Sequence, residues 1–381
     1  MSHSSHSSHK FHSQGTANSS CISGVWRWAD WLPPIPPLAR ITLGEGNTPL
    51  VKSVAIGPKC GLSELWFKLE SVSPTGSYKD RFAAAAVADM RARGKTMCVA
   101  TSSGNTGASL AAYCAVAGIR CRIAIVETAP ADKLRQMLAY GAELFRVRGF
   151  GLDPAATAAV FAGLRRRAEQ ADAQLQISAF RHSPIGMSGV QTLVWEMEDA
   201  CPDHLFVCAG GGGLALAVAR GAMRLRDEGR WPRCPAIHCV QPEGNATIAG
   251  PLQRGETRAV EVRCESRLSG LQVPTVIDGD ETIAAIQAIG GTGVLIADDE
   301  AFACQKRLAR EEGLFCEPAA AVPLAGCLRA VREGRIRPDE RVVCLITGSG
   351  FKDTASAERL AADRPCPLID SHEVEALLDA D

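Results

Sequence analysis

Neither sign of charge dominates this 381-residue chain: 41 Lys and Arg face 42 Asp and Glu, a formal net charge of −1. A surface for nucleic acid or anionic membrane needs a basic surplus, so neither is expected as a partner. Long apolar runs are missing too. No stretch approaches the ~20 residues of a membrane-spanning helix, and no secretory apolar segment follows the N-terminus. The fifteen cysteines contain no Cys-x-x-Cys. An odd number of cysteines without a secretory leader fits the reducing cytoplasm better than a disulfide framework. Several (Cys98, Cys208, Cys239, Cys344) lie in apolar runs, where a thiol serves as a small buried hydrophobe. The chain also lacks Gly-x-x-x-x-Gly-Lys-Ser/Thr, which speaks against a nucleotide P-loop and so against a kinase.

What is present is an ordinary globular composition, 46% hydrophobic and 22% charged, long enough for two domains. Residues 1–24 are rich in Ser and His, with His3, His6, His9 and His12 spaced by three. They lack the apolar residues of a core and read as a disordered tail. Order is expected from Val25-Trp26-Arg27-Trp28 onward, and residues 365–381 read as an acidic surface tail. Between these ends, apolar strands are expected near 96–100, 121–126, 143–147, 174–178, 204–208, 236–240, 293–297 and 341–346. Helical stretches lie between most of them, including 106–117, 131–140, 155–171, 186–200, 214–227, 298–312 and 318–332. This alternation predicts an α/β protein with parallel sheets covered on both faces, and so many strands predict two such units with a ligand between them.

Four loops carry the chemistry. In Ser73-Pro-Thr-Gly-Ser-Tyr-Lys-Asp-Arg81, a Pro/Gly turn opens an alanine-rich helix with Lys79 at its start. A lysine among the unpaired N–H groups of a helix N-terminus opposes the macrodipole, so its pKa should fall. A neutral amine is what attack on a carbonyl requires. Thr101-Ser-Ser-Gly-Asn-Thr-Gly107 joins a strand to a helix with small hydroxyl residues, a binding loop for a carboxylate or phosphate. Gly210-Gly-Gly-Gly213 opens another helix. Four glycines would each cost a helix about 1 kcal/mol relative to alanine, but they let the backbone wrap a single phosphate. Thr347-Gly-Ser-Gly-Phe-Lys-Asp353 follows the last strand, at the edge where α/β ligands bind. Glu317, before Pro318 and a helix, is well placed for the helix dipole.

In this order the four loops resemble fold-type II pyridoxal phosphate enzymes, and are most similar to threonine synthases. Val25-Trp-Arg-Trp and Gly44-Glu-Gly-Asn-Thr-Pro-Leu50 fit the N-terminal end of that family, so the resemblance spans about residues 25–355. It implies a tryptophan synthase β-like pair of three-layer αβα domains with the cofactor, pyridoxal 5′-phosphate, in the cleft. The large domain would comprise 25–82 plus 188–364, and the small one 83–187. By the same resemblance Lys79 carries the cofactor as a Schiff base and is the catalytic base. Asn105 would donate to its 3′ oxygen, Gly210, Gly211, Gly212 and Gly213 would hold its phosphate, and Thr347 would bond its ring nitrogen. Ser102, Ser103 and Thr106 would hold the substrate carboxylate. A cytoplasmic homodimer acting on a small amino acid is implied, with no metal.

One segment departs from threonine synthases. Aligned on Gly189 and Thr192, the family's Asn-Ser start and its phosphate-binding arginine fall on Phe180-Arg181 and Gly186. The glycine run also lacks the family's asparagines and is more similar to that of serine and threonine dehydratases. A neutral residue cannot replace a bidentate guanidinium clamp. The expectation is therefore a lyase that eliminates or replaces at the β or γ carbon of a substituted L-amino acid. Threonine synthase proper and serine/threonine dehydratase are the alternatives, and retention of Lys79 argues against a non-catalytic sensor.

Overall fold

The computed structural model describes residues 24–273 and 276–379, so the tail carrying His3, His6, His9 and His12 lies outside the described residues. In chain order the first elements are β1 (Leu50–Lys52), α1 (Ile56–Lys59), β2 (Leu65–Leu69) and α2 (Lys79–Ala92). Next come β3 (Met97–Thr101), α3 (Asn105–Ala117), β4 (Arg120–Ile125), α4 (Ala131–Ala139), β5 (Glu143–Arg146), α5 (Pro154–Ala168) and β6 (Ala173–Gln176). The chain continues with α6 (Pro184–Trp195), β7 (His204–Cys208), α7 (Gly213–Asp227), β8 (Ala236–Pro242), α8 (Ala249–Gln253) and α9 (Gly279–Ala288). It ends with β9 (Thr292–Ile296), α10 (Asp298–Glu311), α11 (Pro318–Arg332), β10 (Val342–Ile346), α12 (Thr354–Ala361) and α13 (Val374–Leu378).

These strands form two sheets. One has six strands in the order β1-β2-β10-β7-β8-β9, the other four in the order β5-β4-β3-β6. The expected strands are all there; the central ones read as unbroken apolar runs because they are buried on both faces, as every residue of β10 is. The expectation of purely parallel sheets needs one correction. β1 pairs antiparallel with β2, Leu50 opposite Lys68, because only a short connection through α1 separates them and the chain doubles back. The remaining pairs are parallel. The α8 and α9 helices were not anticipated, and α6 stops at Trp195, short of the expected residue 200.

In the four-stranded sheet the two faces of β3 and β4 pack separately. Cys98, Ala100, Cys121 and Ile123 join the main core, while Met97, Val99 and Ala124 meet Phe150 and Leu164 in a second cluster. The alanines of α2 bring that helix tightly against α6. A Cβ on Gly189 would lie 2.3 Å from the Arg81 carbonyl oxygen, and one on Gly186 would lie 2.6 Å from the Phe82 ring. These two glycines set how closely the helix that begins with Lys79 can approach its neighbour.

Candidate active site

Lys79 is the first residue of α2, reached from β2 through the turn Pro74-Thr75-Gly76. Gly76 takes φ +90°, which suits glycine. Asp80 closes this turn: its carboxylate accepts from the Thr75 N–H at 2.7 Å and from the Thr75 hydroxyl at 2.6 Å. Burial pushes Asp80 up to about 6. Two residues on, the buried Arg81 guanidinium donates to Glu70 at 2.7 Å and to Glu196 at 2.6 Å, and Lys68 joins Glu196 at 2.8 Å. The first turn of α2 is thus fixed from both sides, and Lys79 with it.

The Lys79 Nζ donates to the Ser178 Oγ at 2.8 Å and sits 4.6 Å from the centroid of the Tyr78 ring. Ser178 Oγ is in turn 3.0 Å from the hydroxyl of Thr106, in the first turn of α3. Burial lowers the lysine to about 8, against the opposing pull of Cys208, Glu317 and Asp278. An amine with that pKa is partly neutral near physiological pH; the direction is the expected one, but burial causes it, where the sequence pointed to the helix dipole. The sequence argument missed Ser178. Its position just beyond the C-terminal end of β6 was the available signal, because ligand crevices open there.

Thr347 follows β10 at the corresponding edge of the six-stranded sheet and is buried. Its carbonyl accepts from the Tyr78 N–H at 3.1 Å, Ser349 N–H donates to the Gly76 carbonyl at 2.9 Å, and Ser77 bridges to Gly348. The loop 347–353 is therefore stitched to the turn that delivers Lys79. The Thr347 hydroxyl lies 3.8 Å from the sulfur of Cys208, the last residue of β7, and the glycine run begins two residues after Cys208. Burial pushes the Cys208 thiol up to about 12, so it remains neutral.

Gly210–Gly213 leads into the 15-residue α7. Gly212 has φ +94°, and a Cβ there would stand 2.6 Å from the Thr282 hydroxyl. A Cβ on Gly213 would be 3.1 Å from the Ser178 carbonyl, so the run passes directly beside the partner of Lys79. Among the described residues no acceptor engages the N–H groups of Gly210, Gly211 or Gly212. Free N–H groups at a helix N-terminus, on a backbone that is tightly packed at Gly212 and Gly213, form a cradle suited to a phosphate. An amine of lowered pKa, a phosphate cradle beside it and a hydroxyl at the end of a central strand together fit pyridoxal phosphate.

Asn105 Nδ2 donates to Glu317 Oε1 at 2.9 Å, and that carboxylate lies so close to Gly348 that a Cβ there would meet it at 2.3 Å. Glu317 does occupy the N-cap of α11, where the dipole favours an acid, yet its side chain makes no capping bond and turns to Asn105 instead. Burial pushes it up to about 7. One amide hydrogen of Asn105 is used by Glu317, which leaves the other for a ligand. Ser102 and Ser103 lie on the partly exposed loop before α3, where the Ser102 hydroxyl accepts from the Gly104 N–H at 3.2 Å. No hydrogen bond joins either to Lys79 among the described residues.

Between β6 and α6, Arg181 and His182 are exposed, and the Phe180 and Arg181 N–H groups donate to Asp278 at 2.7 and 3.1 Å. The Phe180 ring carries the Arg220 guanidinium at 4.2 Å. Gly186 is buried against Phe82 and Ala86 of α2, inside the helix contact, where no anion-binding side chain fits.

Comparison with known proteins agrees with this geometry. The family model described as "Pyridoxal-phosphate dependent enzyme" matches residues 41–348. The threonine synthase of Methanocaldococcus jannaschii is 31% identical over 351 residues, covering 91% of this chain and 84% of the relative. That of Mycobacterium leprae is 32% identical, covering 91% and 92%. Among solved structures, threonine deaminase isoform 2 of Solanum lycopersicum superposes with a TM-score of 0.67 at 20% identity, covering 87% of this chain and 82% of the other. Maize serine racemase gives 0.67 at 20%, covering 87% and 92%.

Proposed function

Because this chain belongs to the fold-type II pyridoxal-phosphate dependent enzymes, in the threonine synthase family, we propose that it is a lyase. In this reading it eliminates or replaces a group at the β or γ carbon of an L-amino acid. The observation that carries the reading is the Lys79 amine, lowered to about 8 by burial and held 2.8 Å from Ser178 at the mouth of the glycine cradle.

The bound cofactor supplies an electron sink for the pair left at Cα when its proton departs. Lys79 would attach the cofactor, and its amine would serve as the general base for the Cα proton. The N–H groups of Gly210, Gly211, Gly212 and Gly213 hold the phosphate, and Asn105 offers its free amide hydrogen to the 3′ oxygen. Thr347 presents a hydroxyl, not a carboxylate, to the ring nitrogen. A hydroxyl does not favour protonation there, which suits elimination over transamination. Ser102, Ser103 and Thr106 receive the substrate carboxylate at the N-terminus of α3, where unpaired N–H groups favour an anion. Ser178, bonded to both Lys79 and Thr106, orients the base toward the carbon it must deprotonate. We assign the cofactor-holding unit to 25–82 with 188–364 and the smaller unit to 83–187, in keeping with which strands build each sheet.

The named relatives favour threonine synthase proper, for which the family resemblance implies O-phospho-L-homoserine as substrate. The packing of Gly186 against Phe82 and the exposure of Arg181 and His182 favour a substrate without a second phosphate. Cofactor-loaded protein offered O-phospho-L-homoserine separates the two. Release of inorganic phosphate together with threonine supports threonine synthase. No turnover, with formation of a 2-oxo acid and ammonia from L-serine or L-threonine, supports a dehydratase. Failure of the protein to take up pyridoxal phosphate would sink both.

A further inference from the structure

Away from the cleft, three cysteines far apart in sequence meet in the four-stranded sheet. Cys98 on β3 and Cys121 on β4 are direct register partners, on the face that packs into the main core, and Cys114 reaches them from α3. The three sulfurs all lie within 4.8 Å of one another. Cys98 and Cys114 are fully buried and Cys121 is 5% exposed. Nothing in the proposed reaction uses them.

Packing alone explains a buried thiol, and this chain has others, such as Cys208, Cys239 and Cys344. Two observations set this group apart. Among the described residues no other three thiols come this close together. A cavity of about 240 Å³ also opens beside the group, lined by Cys114 and Cys121 themselves, with Ile119, Arg120, Tyr140 and Glu143 around it. Cys114 and Cys121, though not Cys98, therefore border a space that a small ion can enter.

We propose that Cys98, Cys114 and Cys121 form a three-sulfur binding site for a soft cation of the Cu(I) class, loaded through the adjacent cavity. Sulfurs bonded at about 2.3 Å around a central ion in their plane stand about 4.0 Å apart, so small side-chain rotations suffice to close the group. An all-sulfur set selects soft ions, and among the described residues no histidine nitrogen or carboxylate joins the three sulfurs to complete it for a harder one. Each ligating thiol gives its proton to solvent as the metal–sulfur bond forms. The ion keeps its oxidation state, so no oxidant or reductant is needed. Occupancy ties α3 to β3 and β4 about 13 Å along the helix from Asn105, given a rise of 1.5 Å per residue.

The test is anaerobic titration of the cofactor-loaded protein with Cu(I) against a competing chelator, following thiolate-to-copper absorption in the ultraviolet. One tight equivalent per chain is expected. Cys114→Ser and Cys121→Ser should weaken it more than 100-fold, beyond the ~10–100-fold typical of losing an outer-shell partner. A double variant at the exposed Cys201 and Cys366, Cys→Ser at both, should keep it. Unchanged tight binding in the Cys114 and Cys121 variants would overturn the proposal, as would the absence of a tight equivalent. Where a serine variant fails to fold, copper-edge X-ray absorption on the unaltered protein decides: three sulfur neighbours support the site, and two, or nitrogen and oxygen, refute it.

Discussion

The Nζ of Lys79 and the Oγ of Ser178 stand 2.8 Å apart although 99 residues separate them. Lys79 enters from the strand side of the six-stranded sheet, while Ser178 leaves the last strand of the four-stranded one. The contact therefore joins the two sheets at the point where the proposed chemistry occurs, and it gives the first prediction.

Ser178→Ala removes the acceptor of the Lys79 ammonium and a partner of Thr106. A hydrogen bond to a charged group contributes about 1.5–3 kcal/mol, so turnover should fall about 10–100-fold. Without that acceptor the ammonium is less favoured, and the pH midpoint of cofactor attachment should move down. A fall in rate with no movement of the midpoint would mean that Ser178 only fills space.

Lys79 itself should titrate near 8 in the cofactor-free protein. Only the neutral amine attacks the aldehyde, so the attachment rate should rise with pH through about 8 and level off above it. Stopped-flow absorbance at several pH values measures this. Lys79→Ala should leave the protein able to bind the cofactor through the glycine cradle, but borohydride should no longer fix it to the chain.

Glu317→Gln keeps an oxygen for the Asn105 amide while removing a charge. In the native protein burial holds the carboxyl at about 7, so above that pH a negative charge develops near Lys79 and favours its ammonium form. With glutamine in its place the Lys79 midpoint should shift to lower pH. An upward shift in the same absorbance experiment would contradict this account.

Arg81→Met strands Glu70 and Glu196 in the core without their guanidinium. Losing one member of a buried ion network costs about 3–5 kcal/mol, to be read from the urea unfolding midpoint. Burial raises Glu196, but Arg81 and Lys68 outweigh it and hold the carboxyl at about 2, below its ordinary 4.5. Its contribution to stability is therefore complete above pH 4.5 and lost as pH falls toward 2. The acid-induced loss of stability should be shallower in Arg81→Met across that window, as far as Glu196 governs it.

Much of this protein was legible one stretch at a time. Strands buried on both faces must be apolar throughout, so central strands such as β3, β7 and β10 announced themselves, and the Pro/Gly turn before an alanine-rich helix singled out Lys79. The glycine run declared a tight backbone because no other residue tolerates φ +94° so easily. These are properties of neighbouring residues, and local sterics and burial settle them. What the sequence could not show are relations made by distant segments packing together. Ser178 looked like the last residue of an ordinary strand until the two sheets brought it to Lys79. Glu317 looked like a helix-capping acid, and only the approach of α3 gave its carboxylate to Asn105 instead. Cys98 read as a small buried hydrophobe with no link to Cys114 or Cys121; strand register and the helix above it turned the three into a cluster. The chain alone determined which elements form and where a lysine meets a turn. The tertiary structure decided which side chains share a few ångströms of space, because that depends on the packing of whole elements and not on any residue's neighbours.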